Sequence, residues 1–355
     1  MSAPQGRPNA GSALSPPPAP PFLEQAFIRA CLLDVTTLKP GNVSQDAPGH
    51  RMTAAQFIAS AAAAAPALCR TGETVGRRIL RAVEATRRVA GCNTNLGIVL
   101  LCAPLAAAGE AIVAGAETGA AAITAITAIT GNTGNTGNTG NTDATDATDA
   151  TGATCAERVF RARLCEVLRS LTVTDADDAF RAIALANPAG LGTIEEHDVH
   201  AAATIDLRAA MNLAADRDMV ARQYAHDFAD LFDIGLAAWH EEPNAQPGLC
   251  DRAASVAMQR VFLEFLARFP DSHIARKHGA SAAQAISHDA QVQLRRVRAD
   301  AVAAQADLAA WDARLKADGM NPGTSADLAV ATAFLADMVC SPFIHAHSGS
   351  GWRYA

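Results

Sequence analysis

Alanine recurs along this chain where most globular sequences place β-branched or aromatic residues, and that choice constrains the fold more than any single motif. Half of the 355 residues are hydrophobic, yet only 5% are aromatic. Alanine is the strongest helix former and adds little bulk, so helices rich in it can pack closely. No convincing run alternates apolar and polar residues with the period of two expected of a half-buried strand. The reading is all-α: a single large multi-helix globular domain, from a chain long enough to bury a large core.

Apolar periodicity, caps and breakers place helices at 22–35, 53–68, 74–90, 95–115, 156–171, 175–186, 249–269 and 325–339. A pair is expected within 207–240, and 280–316 reads as one long amphipathic helix. The greasiest run, 96–116, contains Pro104 and Glu110 and reads as a core helix, not a membrane span. From 120 to 151 the chain becomes a tandem triplet of Ala-Ile-Thr, Gly-Asn-Thr and Asp-Ala-Thr. A period of three fits neither helix nor strand, so this is a low-complexity loop insertion. Its Asp143, Asp146 and Asp149 lack the alternating ligands and glycine turn of a calcium loop. Residues 1–21 read as a disordered Pro/Ala-rich tail, 22–344 as the helical catalytic domain and 345–355 as a C-terminal tail.

The net charge of −7 and pI near 5.8 argue against a nucleic-acid partner, which needs a basic face. They leave small anionic nucleotides open. The eight cysteines form no Cys-x-x-Cys pair, so a zinc or redox motif is unsupported and most are expected as buried free thiols. The expected location is cytoplasmic, with no membrane partner.

Several polar segments carry possible chemistry. In Asn321-Pro-Gly-Thr-Ser-Ala-Asp-Leu328, Pro322 and Gly323 make a turn, Thr324 or Ser325 can cap a helix, and Asp327 falls in its first turn. A helix start offers free N–H groups and partial positive charge, which suit phosphate. In Lys39-Pro-Gly-Asn-Val-Ser44, Pro40 pushes Lys39 out of helical conformation and Gly41 allows close ligand approach, with Asn42 and Ser44 as further contacts. In Gly91-Cys-Asn-Thr-Asn-Leu-Gly97, one of Asn93, Thr94 and Asn95 caps an apolar helix, leaving two for ribose, base or phosphate. In Pro270-Asp-Ser-His-Ile-Ala-Arg-Lys277, Arg276 and Lys277 are adjacent, so at most one points into a given site. Each of these also has an ordinary capping or solvated reading.

Asp216, Arg217, Asp218 and Arg222 are expected on one helix, where Asp218 and Arg222 have the spacing of a surface ion pair. The apolar Met219, Val220, Tyr224 and Phe228 place that helix against the core, where a carboxylate suits Mg²⁺–triphosphate. Asp218 is the preferred carboxylate, with Glu84, Asp216 and Asp327 behind it. The dipeptides His197-Asp198, His226-Asp227 and His288-Asp289 read as structural or solvated.

Taken in order, these segments resemble the triphosphoribosyl-dephospho-CoA synthase family. Gly49-His-Arg-Met52, with Phe57 and Ser60 after it, and the 215–224 stretch add to the likeness, which spans about 22–343. The citrate-lyase branch of that family follows Lys-Pro-Gly with an apolar residue and an Asp, and later has Gly-Ala-His. Lys39-Pro-Gly-Asn-Val-Ser44 and the bare Gly49-His50 depart from it, which places this chain in a divergent branch. The resemblance implies transfer of the triphosphoribosyl group of ATP to a ribose hydroxyl of 3′-dephospho-CoA, releasing adenine. It assigns Lys39, Ser44, Arg276, Lys277, Thr324 and Ser325 to phosphate and Asn93 and Asn95 to ribose or base. Gly41, Asn42, Thr94 and Arg222 complete the ATP set. Asp218, His50 and Glu84 are the catalytic candidates, and Asp218, Asp216 and Asp327 the candidates for Mg²⁺. An acyl-carrier subunit, reached through a separate transferase, is the implied downstream partner. The departures leave open a different acceptor, as in methanopterin-type cofactor biosynthesis, and a nucleotide-binding protein without turnover.

Overall fold

A computed structural model describes residues 21–45, 52–117, 154–187, 199, 201–246 and 248–340. The helices in chain order are α1 (Pro21–Thr36), α2 (Ala54–Leu68), α3 (Val75–Ala90), α4 (Leu96–Glu117), α5 (Cys155–Arg169), α6 (Val173–Ala186), α7 (Leu207–Asn212) and α8 (Met219–Ala225). A π-helical stretch, Leu231–Leu236, runs into the single turn α9 (Ala237–His240). Then come α10 (Arg252–Arg268), α11 (Ser272–His278), α12 (Ala280–Ala299), α13 (Gln305–Ala317) and α14 (Gly323–Val339). No β-strand occurs among the described residues, and the all-α reading holds. The terminal tails (residues 1–20 and 345–355), the 120–151 triplets, His50 and His197-Asp198 lie outside the described residues.

Local chemistry explains the boundaries. Thr53, Thr154 and Thr172 each cap a helix reciprocally with Gln56, Glu157 and Asp175, satisfying N–H groups the helix cannot. Gly91 stops α3 in left-handed conformation, at φ 69°. The expected helix over 280–316 is two helices. Asp300 leaves helical geometry, and its Oδ1 accepts from the N–H groups of Val302 (2.9 Å) and Ala303 (3.0 Å). A carboxylate that takes up those N–H groups ends one helix and starts a turn. The pair expected within 207–240 becomes α7, α8, the π-helical stretch and α9. Asp227 and Phe228 take φ 53° and 58° there, and a helix cannot run through two left-handed residues.

The core is built around α4 and α14. In α14 only Gly323, Asp327 and Asp337 are partly open, as befits a helix apolar on every face. α1, α4, α10 and the π-helical stretch pack around α14. Phe27 meets Phe334 edge-on, with ring centroids 5.9 Å apart. Small residues set the spacing: a Cβ on Gly76 would lie 2.4 Å from the Cα of Asp175, whose carboxylate accepts from Gly76 N at 2.8 Å. By length and composition α4 is apolar enough to cross a membrane; here it packs against α3, α5 and α14 as a core helix. Tyr224 donates to Leu100 O at 2.6 Å, fixing α8 to α4. Of the eight cysteines only Cys31, Cys69 and Cys102 are buried, fewer than expected. Burial pushes the Cys69 thiol up to about 12 and raises Cys31 and Cys102 as well.

Candidate active site

Segments far apart in sequence meet at the first turns of α14. Gly41 takes φ 82° in the loop after α1, and its N–H donates to Asp312 Oδ1 at 2.8 Å. A Cβ there would lie 2.8 Å from Pro322 Cδ and 2.9 Å from Met320 O, so glycine allows the loop to close on the turn before α14. Asn42 Nδ2 donates to Asn321 Oδ1 at 3.1 Å. On the other side, Asp271 Oδ2 accepts from both the N–H and the hydroxyl of Ser325, each at 2.8 Å. Its Oδ1 accepts from His273 N (2.9 Å) and Ile274 N (3.1 Å), so one carboxylate joins the start of α11 to the start of α14. α4 also reaches this place: a Cβ on Gly97 would lie 2.0 Å from Asp327 Oδ2.

The 215–224 segment closes the group. Asp218 is not inside a helix; it is the N-cap of α8, accepting from Val220 N at 2.9 Å and Ala221 N at 3.1 Å. Its second oxygen pairs with Arg276 at 2.5 Å, and Met219 N donates to Ser272 Oγ at 2.9 Å. The spacing-based pair of Asp218 with Arg222 does not form, because the Asp218 oxygens are taken by the N–H groups of its own helix and by Arg276. Arg222 instead pairs with Asp230 at 2.9 Å and stacks over Phe269. Asp216 and Arg217 lie in exposed turns before α8.

Lys39 departs from its expected place at the mouth. It is fully buried, with Nζ 2.9 Å from Asp34 Oδ1 and bonded to Asp34 O. Ser44, Thr324 and Ser325 are buried too. α14 begins at Gly323, so Thr324 and Ser325 sit inside its first turn and neither is its cap; the N-cap position is Pro322. Asn93 Oδ1 accepts from Leu96 N at 3.1 Å, the capping role expected of one residue in that trio. Thr94 donates to Ser60 at 2.7 Å, and Asn95 accepts from Thr86 at 3.0 Å while its buried Nδ2 has no partner. Lys277 is exposed beside the paired Arg276, in keeping with two adjacent cations facing different ways. Glu84 lines a shallow groove between α2 and α3 with Arg70, Arg81 and Arg88, away from the α14 start.

Electrostatically the centre is Asp327. Burial raises its carboxyl well above the usual range, Asp34, Asp271 and Asp218 raise it further, and Arg276 opposes them. Burial also raises Asp34 and Asp271, against Lys39 in one case and against donors from Ser325, Ile274 and His273 in the other. Among the described residues no three His, Cys, Asp or Glu side chains group closely enough to hold a metal ion. Asp34, Asp271 and Asp312 were not singled out from sequence. Asp271 stood within the 270–277 segment, where Asp before a short helix is a legible cap. Asp34 pairs with Lys39, five places on, and Asp312 with Lys316, four places on, spacings that sequence reading passed over; only the bond from Gly41 N to Asp312 is set by folding.

Such a centre offers buried carboxyls, a guanidinium whose Nε lacks a partner in Arg276, and helix starts from several elements. It suits an anionic substrate whose reaction develops positive charge. The family model described as ATP:dephospho-CoA triphosphoribosyl transferase matches residues 20–341. A crystal structure from Archaeoglobus fulgidus, provisionally named a triphosphoribosyl-dephospho-CoA synthase, shares the fold at 21% identity and a TM-score of 0.50. That match covers 79% of this chain and 97% of the other. No curated protein matches. The family match runs through every segment that meets at α14, and the chain belongs to the ATP:dephospho-CoA triphosphoribosyl transferase family.

Proposed function

We propose that this enzyme transfers the triphosphoribosyl group of ATP to a ribose hydroxyl of 3′-dephospho-CoA and releases adenine. The observation that carries the reading is the meeting of the family segments at the start of α14, with Gly41, Asn42, Gly97, Asp218, Asp271, Arg276, Ser325 and Asp327 as its members.

The chemistry sets the roles. When the C1′–N9 bond of ATP breaks, positive charge grows on the ribose, and a carboxylate beside it stabilises that charge. Asp218, held by Arg276 and two N–H groups, is a fixed carboxylate at the rim of the cluster. The triphosphate does not react and serves as a handle whose binding positions C1′. Arg276 and the first turn of α14 are its assigned contacts, with the exposed Lys277 available at the edge. Lys39, committed to Asp34, holds the loop that carries Gly41 and Asn42. Mg²⁺ enters with ATP as part of the substrate, and we assign it no protein ligand. The product would pass to a separate transferase and an acyl-carrier partner, in the cytoplasm where both substrates are made.

Mass spectrometry of the purified protein with Mg-ATP, with and without 3′-dephospho-CoA, tests this. The expected result is adenine release that requires the acceptor, with a triphosphoribosyl mass gain on it. Adenine without that gain would move the reading to another acceptor or to hydrolysis, and no adenine would leave a nucleotide-binding protein.

A further inference from the structure

We propose that the groove between α2 and α3 is the acceptor subsite, holding the diphosphate of 3′-dephospho-CoA at Arg88 and its uncharged arm along α2. This rests on the transfer reading above. α3 carries Arg77, Arg78, Arg81, Arg87 and Arg88 against a single acid, Glu84, in a chain whose net charge is −7. Three of these arginines are committed to the fold. Arg78 is buried on Glu110, Arg77 lies 3.6 Å from Asp178, and Arg87 donates to Leu185 O at 3.2 Å. The other two, Arg81 and Arg88, face an open groove of about 480 Å³, joined by Arg70 just after α2.

The charges along the groove are unevenly matched. Arg70 and Arg81 share one carboxylate oxygen, Glu73 Oε1, at 3.6 and 2.6 Å. Glu84 and Arg88 stand four apart, in the order that favours an ion pair on a helix, yet they form none. Neither side chain bonds to any other described residue. An unpaired cation and an unpaired carboxylate therefore sit one turn apart on the same wall. The facing wall is α2, where Ala63 and Ala67 present small apolar side chains.

3′-Dephospho-CoA carries its groups in a matching order: a ribose hydroxyl, then a diphosphate, then an uncharged arm with amide groups. The groove stands away from the start of α14, but its Arg88 end is three residues from Gly91, where the chain enters the 91–97 segment whose Gly97 backs Asp327. On α2 the same end adjoins Ser60, which accepts from Thr94 of that segment at 2.7 Å. With the hydroxyl at the cluster, the diphosphate follows toward Arg88, whose guanidinium offers it a fork of N–H donors. The arm then runs along Ala63 and Ala67 toward Arg81, a helical distance of about 10 Å from Arg88. On the way Glu84 accepts from an amide N–H and Arg81 donates to an amide carbonyl. ATP has no such arm, so the groove serves the acceptor and not the donor.

The test is titration calorimetry of the full-length protein with 3′-dephospho-CoA and, separately, with Mg-ATP, for the wild type, Arg88→Glu and Ala67→Phe, with adenine release followed alongside. Arg88→Glu should weaken acceptor binding by about 30-fold or more, because like charges then meet. Ala67→Phe fills the groove floor and should weaken the acceptor as well. Mg-ATP should bind both variants as it binds the wild type, a split that a merely structural defect would not give. Either variant with unchanged acceptor affinity overturns the proposal, so one folded variant is enough to decide it. Equal losses for acceptor and ATP overturn it too. In both cases a wild type that releases adenine with the acceptor leaves the transfer reading standing. A wild type that neither binds 3′-dephospho-CoA nor releases adenine with it overturns the transfer reading, and the groove's role with it.

Discussion

Asp271→Asn tests whether the joint between α11 and α14 holds the site together. The carboxylate accepts on both oxygens: His273 N and Ile274 N on one, Ser325 N and Oγ on the other, at 2.8–3.1 Å. An amide has only one oxygen. With that oxygen kept on the α11 side, the Nδ2 group faces the Ser325 N–H; the hydroxyl can turn and accept, but the buried N–H cannot. Two bonds to a charged acceptor are worth about 1.5–3 kcal/mol each, so the upper bound is about 3–6 kcal/mol. Part is recovered, because burial is the largest influence on this carboxyl and a neutral amide avoids it. The net expectation is a loss of about 2–3 kcal/mol. Asp271→Ala, which frees all four donors and leaves a gap, should cost more. Denaturant unfolding followed by circular dichroism, with an unchanged slope, reads the difference directly. Adenine release should fall at least about tenfold, since misplacement of reacting groups is penalised steeply. The reasoning would be refuted if Asp271→Asn and Asp271→Ala each lost less than about 0.5 kcal/mol, the range of an ordinary surface change.

Lys39→Met should destabilise by about 3–5 kcal/mol, because it leaves the fully buried Asp34 carboxylate without its partner. The double variant Asp34→Leu with Lys39→Met should recover most of that loss, and a double-mutant cycle measures the coupling. Gly41→Ala meets a left-handed backbone costing about 1–2 kcal/mol. It also places a Cβ 2.8 Å from Pro322 Cδ. Its melting temperature should drop clearly and its ATP affinity with it, whereas Gly319→Ala, equally left-handed but with open space at Cβ, should lower the melting temperature less and spare affinity. Burial holds the carboxyls of Asp34, Asp271, Asp327 and Asp337 above their ordinary values. In their titration window the folded chain therefore binds more protons than the unfolded one, and stability is lost as pH rises through the folded pKa values. The melting temperature should rise on going from about pH 8 to about pH 5, staying above the ordinary carboxylate range near 4. Glu241 acts oppositely, held down chiefly by its hydrogen bond with Arg298, and its contribution fades only below that range.

Much of this molecule was legible in the chain because it is local. Thr53, Thr74, Thr154 and Thr172 announce helix starts by side chains that cap their own neighbours, and Gly72 and Gly91 mark stops by conformations few other residues accept. The split at Asp300 and the left-handed Asp227–Phe228 pair escaped because periodicity records burial and not which competitor takes a given N–H. The site followed the same division. The quoted segments were recognisable, but roles drawn from spacing were not secure: Lys39 was expected at a ligand and lies buried under Asp34, and Asp218 pairs with Arg276, 58 positions away, not with Arg222.

The sequence by itself determined most of the helices, several of their caps and the set of polar segments that mark the family, since each depends on residues within a few positions of one another. Tertiary structure alone decided that those segments meet at α14, that Asp271 bridges two helix starts, and that Asp327 is left uncommitted among three carboxyls. Pairing, burial and carboxyl ionisation depend on what folding brings within a few ångströms, and no spacing along the chain contains that information.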